Sequence, residues 1–176
     1  MKVLITGIAG SGKSTIIAEL HKRGHATLDL DDCGAGIWVN KKTAERAEHH
    51  EGLGKEWIEA HRWQADIPKL LALLNSFGKG GDIFVGGKVA KVQMKEINEI
   101  FDVIYLLTPD NFRVDERLRT RTTNKVNFAK GDGERKAIIE GRYQFEEICL
   151  AFGAIPVKNH GTVDEVVKRI LNYPSI

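Results

Sequence analysis

Short runs of β-branched and other apolar residues recur along the chain, each followed by a longer stretch with apolar positions at helical spacing. Five runs read as strands buried on both faces: Lys2 to Thr6, Ala26 to Leu30, Asp82 to Val85, Asp102 to Leu107 and Ala154 to Val157. Helices are predicted at Lys13 to Arg23, Lys42 to Ala65, Ile67 to Phe77, Ala90 to Ile100, Asn111 to Arg121, Glu134 to Phe152 and Val163 to Asn172. This alternation predicts an α/β fold, a parallel sheet covered by helices on both faces. Several ends carry their own signals. Gly24 follows the basic pair Lys22-Arg23, and Thr162 with Glu165 fits a capping box. Pro68 suits the first turn of a new helix, which puts a break near Asp66. The cluster Gly78-Lys79-Gly80-Gly81 reads as a loop into the third strand.

The 176 residues fit one domain at roughly 150 residues per domain, large enough to bury a core without disulfide or metal staples. No apolar run approaches the ~18 residues of a membrane span. The 26 Lys and Arg against 24 Asp and Glu leave a net charge of +2, too small for a field that gathers nucleic acid or anionic lipid. Anion recognition must therefore be local, and no nucleic-acid polymer is expected as a partner. Cys33 and Cys149 lack the spacing of a zinc or redox motif and read as free thiols. Glycines interrupt the amino-terminal apolar run before a signal-peptide core forms, so the expected location is cytoplasmic.

One motif changes this outline. Gly7-Ile8-Ala9-Gly10-Ser11-Gly12-Lys13-Ser14-Thr15 matches the Walker A pattern and lies between the first strand and the first helix. Glycines allow successive amides to turn inward around phosphates, and the helix amino terminus adds partial positive charge. Gly7, Gly10, Ser11, Gly12, Lys13, Ser14 and Thr15 are thus the expected nucleotide-binding residues, Lys13 neutralising the β/γ-phosphates and Ser14 offering a hydroxyl to magnesium. A guanine-reading Asn-Lys-x-Asp is missing, since Asn124-Lys125-Val126-Asn127 ends in asparagine.

With this motif starting at the seventh residue, the chain resembles the P-loop kinases of small molecules, the group holding adenylate, shikimate and gluconate kinases. Supporting segments are Asp29-Leu30-Asp31-Asp32 after the second strand, Val85-Gly86-Gly87 after the third, and Arg113, Arg117, Arg119 and Arg121 on the helix after the fourth. The resemblance covers roughly residues 1–32, 82–123 and 154–173, and does not extend to 33–80. It implies a three-layer P-loop NTPase fold with a five-stranded parallel sheet in the order 2-3-1-4-5. The whole of 1–176 would form one domain, with an acceptor-binding helical region near 34–77 and a lid near 118–135.

Carried over by position, Asp29 is the magnesium-side carboxylate and Asp31 the acceptor-side group or base, both expected on one strand face by the period of two. The third strand lacks a terminal acid, which places magnesium on Ser14 and Asp29. Gly86 and Gly87 look like the twin glycine of shikimate-type kinases, where bare backbone approaches the acceptor. Arg113, Arg117 and Arg121 share a helix face by their spacing of four. The resemblance assigns Arg117 and Arg121 to the transferred phosphate or adenine, while Asp115 and Arg119 suit a surface pair. Asn159 and Gly161 are base-binding candidates, and Trp57 and Trp63 fall near the expected acceptor region, as stacking or packing residues. The implied activity is magnesium-dependent transfer of the γ-phosphoryl group of ATP to a nucleotide, nucleoside or small hydroxylated metabolite. A nucleotide-dependent regulatory ATPase read by a protein partner is the competing reading.

Overall fold

A computed structural model of the chain describes residues 1–50, 53–78, 80–120, 129 and 131–172. In chain order the elements are β1 (Lys2–Thr6), α1 (Lys13–Lys22), β2 (Ala26–Asp29), β3 (Gly36–Asn40), β4 (Arg46–Ala47), α2 (Gly54–Ala60), β5 (His61–Ala65) and α3 (Ile67–Ser76). There follow β6 (Ile83–Gly86), α4 (Met94–Ile100), β7 (Val103–Thr108), α5 (Asn111–Thr120), α6 (Asp132–Glu140), α7 (Arg142–Ala151), β8 (Ile155–Lys158) and α8 (Val163–Leu171).

Five strands pair in parallel in the order β2-β6-β1-β7-β8. Numbered among themselves, these strands stand in the expected order 2-3-1-4-5. Alternation along each strand then builds the two cores. Val3, Ile5, Phe84, Tyr105 and Leu107 pack against Ile16, Ile17 and Leu20 of α1 and Val166, Val167 and Ile170 of α8. Leu4, Ile83, Val85, Ile104 and Leu106 face the other way, onto Leu70 and Leu74 of α3, Met94 and Ile97 of α4 and Cys149 of α7. A third cluster of Ile8, Val114, Leu118 and Ala129 lies under the loop that follows β1. Among the described residues, no helix is long and apolar enough to cross a membrane.

The local signals for helix ends appear where the sequence puts them. Thr162 and Glu165 exchange both capping-box bonds, with Thr162 Oγ1 accepting from Glu165 N at 3.3 Å and Glu165 Oε2 accepting from Thr162 N at 2.8 Å. Asp66 caps α3, with Pro68 in its first turn. Gly24 adopts φ +86° past the end of α1.

The stretch 42–65 departs from its predicted helix. Instead β4, β3 and β5 form a three-stranded antiparallel sheet, with only the short α2 between its strands. Trp38 opposes Trp63 in this sheet, their rings 5.5 Å apart, and Trp57 contacts Trp38 at 5.0 Å. Gly36 lets Trp63 lie against the backbone, because a Cβ there would stand 2.1 Å from the indole. The region near 34–77 therefore joins a small antiparallel sheet to the short α2 and to α3, where one continuous helix was expected over 42–65. Similarly, the helix predicted over 134–152 is divided at Gly141 into α6 and α7. Half of the expected lid, residues 121–128 and 130, falls outside the described residues.

Cys149 is buried in the core against α4 and β7, and that burial pushes its thiol up to about 12. Its folded-state value stands above that of an unfolded thiol, so the stability it lends is intact at neutral pH and is lost as pH rises above about 9. At pH 7.5 a maleimide should label the part-exposed Cys33 and spare Cys149 until denaturant is added, as mass spectrometry would read. Equal labelling of both thiols in the native protein would contradict this packing.

Candidate active site

The loop 7–12 leaves β1 at its carboxyl end and runs into the amino terminus of α1, where unpaired helical amides gather. Gly12 adopts φ +95° directly before α1, a conformation open to glycine, and a Cβ there would stand 2.7 Å from Asn159 Nδ2. The loop is held from three directions. Lys13 folds back so that Nζ donates to Gly7 O at 3.0 Å and Ile8 O at 2.9 Å. Asn159, buried after β8, donates from Nδ2 to Ser11 O at 2.6 Å. Arg117, from α5, donates from Nη1 to Gly10 O and Ser11 O, each at 3.3 Å. Partial burial, and then Arg113, lower the Arg117 pKa from its ordinary value. An arginine remains charged at neutral pH despite such a shift.

These bonds occupy the carbonyls of Gly7, Ile8, Gly10 and Ser11, and an anion at such a loop is received by backbone amides. Ser11 N is used within the loop, donating to Ile8 O at 3.1 Å. Ser14 is exposed at the first turn of α1. Two strands from β1 and on the far side of β6, β2 ends at Asp29, whose Oδ1 accepts from Asp31 N at 3.0 Å. Asp32 N and Cys33 N donate to Asp29 O, closing a turn. Asp31 thus lies in that turn and not on the strand, so the period-of-two argument for a shared face does not apply to it.

No family model matches the chain, and no curated protein sequence matches it. Solved structures do. The deoxyadenosine kinase of M. mycoides superimposes with a TM-score of 0.60 at 18% identity, covering 98% of this chain and 97% of that one. The shikimate kinase of Acinetobacter baumannii gives 0.59 at 17%, covering 97% and 90%. A gluconokinase of Sinorhizobium meliloti gives 0.58 at 14%, covering 97% and 89%. The fold is that of the P-loop kinases.

In this P-loop kinase fold the other expected residues fall as follows. Gly86 and Gly87 stand at the end of β6, with Gly87 N donating to Ile5 O at 3.1 Å. A Cβ on Gly86 would meet Ile17 Cγ1 at 2.5 Å, and one on Gly87 would meet Leu30 Cδ1 at 2.4 Å. The immediate cause of both glycines is close packing within the protein. Gly86→Ala should therefore cost about 2–3 kcal/mol and lower the thermal midpoint by roughly 5–10 °C, measured by calorimetry. An unchanged midpoint would show that Ile17 yields freely.

Gly161 is fixed by the α8 cap, since a Cβ there would collide with Glu165 Oε2. Arg113 lies 3.9 Å from Asp110, and Arg119 donates to Asp115 at 2.7 Å on the surface. Arg121 lies outside the described residues. Trp57 packs within the aromatic cluster, stacked on His61 at 4.1 Å.

The sequence reading missed the polar links between the small sheet and α6. His49 Nε2 lies 3.4 Å from Glu134 Oε1, and Glu134 Oε2 accepts from Ala129 N at 2.7 Å. It also missed Arg135, buried on α6, which bonds Asp115 and Asp132. Nothing local distinguishes these residues from surface charges. Two of the partners, Asp115 and His49, come from 20 and 85 residues away.

Proposed function

We propose that the chain is a magnesium-dependent ATP phosphotransferase acting on a nucleotide, a nucleoside or a small hydroxylated metabolite. The carrying observation is the loop itself: the carbonyls of Gly7, Ile8, Gly10 and Ser11 are tied by Lys13, Arg117 and Asn159 at the amino terminus of α1. An entering triphosphate would draw the Lys13 ammonium from two neutral carbonyls to charged phosphate oxygens, a stronger pairing. The chain's main task in phosphoryl transfer is positioning and charge compensation. Arg117 adds positive charge at the loop's rim, and Gly10, Gly12 and Thr15 shape the cradle.

The residues present fit magnesium. Ser14 offers an exposed hydroxyl, and Asp29 keeps one carboxylate oxygen clear of the Asp31 amide. Among the described residues no group of three or more His, Cys, Asp or Glu could form a metal cage. Magnesium held with substrate phosphates and water does not need one. When bound, the ion offsets negative charge on the β- and γ-phosphates.

With an alcohol acceptor, the hydroxyl oxygen forms the new bond to the γ-phosphorus, the bond to the β–γ bridging oxygen breaks, and ADP leaves. Asp31 would take the hydroxyl proton. A nucleoside monophosphate acceptor would need no base. Release of ADP should be measured with MgATP alone and with panels of nucleosides, nucleotides and small hydroxy acids. Stimulation by one panel, lost in Lys13→Ala, supports the reading. Turnover that ignores every panel, with a protein partner retained only in the ATP state, would favour a regulatory ATPase instead.

A further inference from the structure

Lys88 follows the Gly86–Gly87 turn, and Gly87 is tied to Ile5, two residues before the phosphate loop begins. Its ammonium lies 5.5 Å from the centroid of the Phe145 ring. Phe145 in turn packs both on the main core and on the cluster that includes Ile8 and Ala9 of the loop. Lys88 therefore sits at the carboxyl edge of the sheet, beside the phosphate loop, where open parallel sheets take their ligands.

Its electrostatic surroundings are unusual for a half-buried lysine. Among the described residues no carboxylate pairs with it. Glu146 on the neighbouring helix is committed to Arg142 at 2.6 Å. The charge that acts on Lys88 from the turn after β3 is another cation, Lys41, and the thiol of Cys149 stays neutral. Burial first, and Lys41 second, hold the Lys88 pKa below the ordinary lysine range. Among the described residues, this desolvated ammonium over an aromatic ring lacks the anion that would offset its charge. A purely structural role offers no reason to keep a lysine there, since methionine would fill the same space at less cost.

We propose that Lys88 anchors an oxyanion of the phosphoryl acceptor, a carboxylate or a phosphate, so that this site selects anionic acceptors over their neutral counterparts. The proposal rests on the phosphotransferase reading for the word acceptor, while the anion site itself can be tested separately.

The first test is NMR of the full chain, observing the Lys88 side-chain methylene signals assigned by their loss in Lys88→Met. Inorganic phosphate and acetate are the probes. A saturable shift at either supports the site, and a flat response to both overturns it. The second test is calorimetry in the presence of magnesium and a non-hydrolysable ATP analogue. Paired ligands are nucleoside 5′-monophosphates against nucleosides, and hydroxy acids against the matching polyols. The pair with the larger gap tells phosphate from carboxylate.

In the wild type the anionic member of one pair should bind at least about tenfold tighter than its neutral partner. Lys88→Met should erase that gap, Lys88→Arg should keep most of it, and the analogue should bind equally to all three. The thermal midpoint of Lys88→Met should not fall. Preference for the neutral members, or a gap that persists in Lys88→Met, would overturn the proposal while leaving phosphoryl transfer standing. Failure of the analogue to bind would remove the phosphotransferase reading, and the inorganic titration would still decide the anion site.

Discussion

Lys13→Ala is expected to abolish acceptor-stimulated ADP release, by about 10³-fold or more, while leaving the fold in place. The ammonium reaches inside the loop, bonded to Gly7 O and Ile8 O. During transfer it would offset charge growing on the β–γ bridge. Losing such a contact in a water-poor site costs about 3–4 kcal/mol of transition-state stabilisation, which is two to three powers of ten in rate. Loss of ground-state triphosphate binding adds to this. In the protein without nucleotide, the two carbonyls released by the substitution can turn to water, so stability should change by about 1 kcal/mol or less. Single-turnover ADP release and thermal unfolding, measured on the same preparation, separate the two effects. A variant that turns over at wild-type rate would remove Lys13 from the chemistry. Lys13→Arg should also be poor, because a planar fork does not replace a compact ammonium in a narrow loop.

The second large effect is expected at Asn159. Its amide donates to Ser11 O from a buried position far along the chain, and Gly12 lies directly against that amide. Asn159→Asp exchanges the donor for a carboxylate and sets oxygen against oxygen where 2.6 Å now separates donor from acceptor. The introduced acid must either stay protonated or carry an unpaired charge beside the place where phosphates would bind. We expect a loss of about 2–4 kcal/mol in stability at pH 7.5 and at least about a hundredfold weaker binding of an ATP analogue.

The pH dependence has a definite sign. The folded-state pKa of the new acid is raised above its unfolded value, so folded Asn159→Asp should be most stable at low pH and lose stability as pH rises. Asn159→Leu removes the donor without adding charge and leaves Ser11 O to Arg117, so its stability loss should be smaller and independent of pH. Denaturant unfolding between pH 4 and 8 tests both variants. If the two behave alike, Asn159 merely fills space.

The small sheet shows where local sequence stops deciding structure. His61 to Ala65 reads polar, polar, aromatic, polar, small, which suits a solvated helix face as well as a strand. Only when Trp63 meets Trp38 and lies over Gly36 does the extended form prevail, and that contact joins residues 25 apart. Propensity over a short window does not register such a partner. The same holds at the site. Arg117 was visible as a basic residue on a helix face, but its position at Gly10 and Ser11 is fixed by α5 packing Val114 and Leu118 under the loop.

Residue order alone determined the phosphate loop, the parallel strands, the helix break near Asp66 and the cap at Thr162. Each of these is written in neighbours a few positions apart: a glycine spacing, a β-branched run, an oxygen three residues from an amide. Tertiary structure alone decided which groups tie the loop's carbonyls, why Gly86 and Gly87 have no side chains, and that Lys88 is desolvated with no carboxylate paired to it among the described residues. Those outcomes depend on what arrives from distant strands and helices. Burial changes the energy of a charge or a hydrogen bond only after the surrounding chain has excluded water.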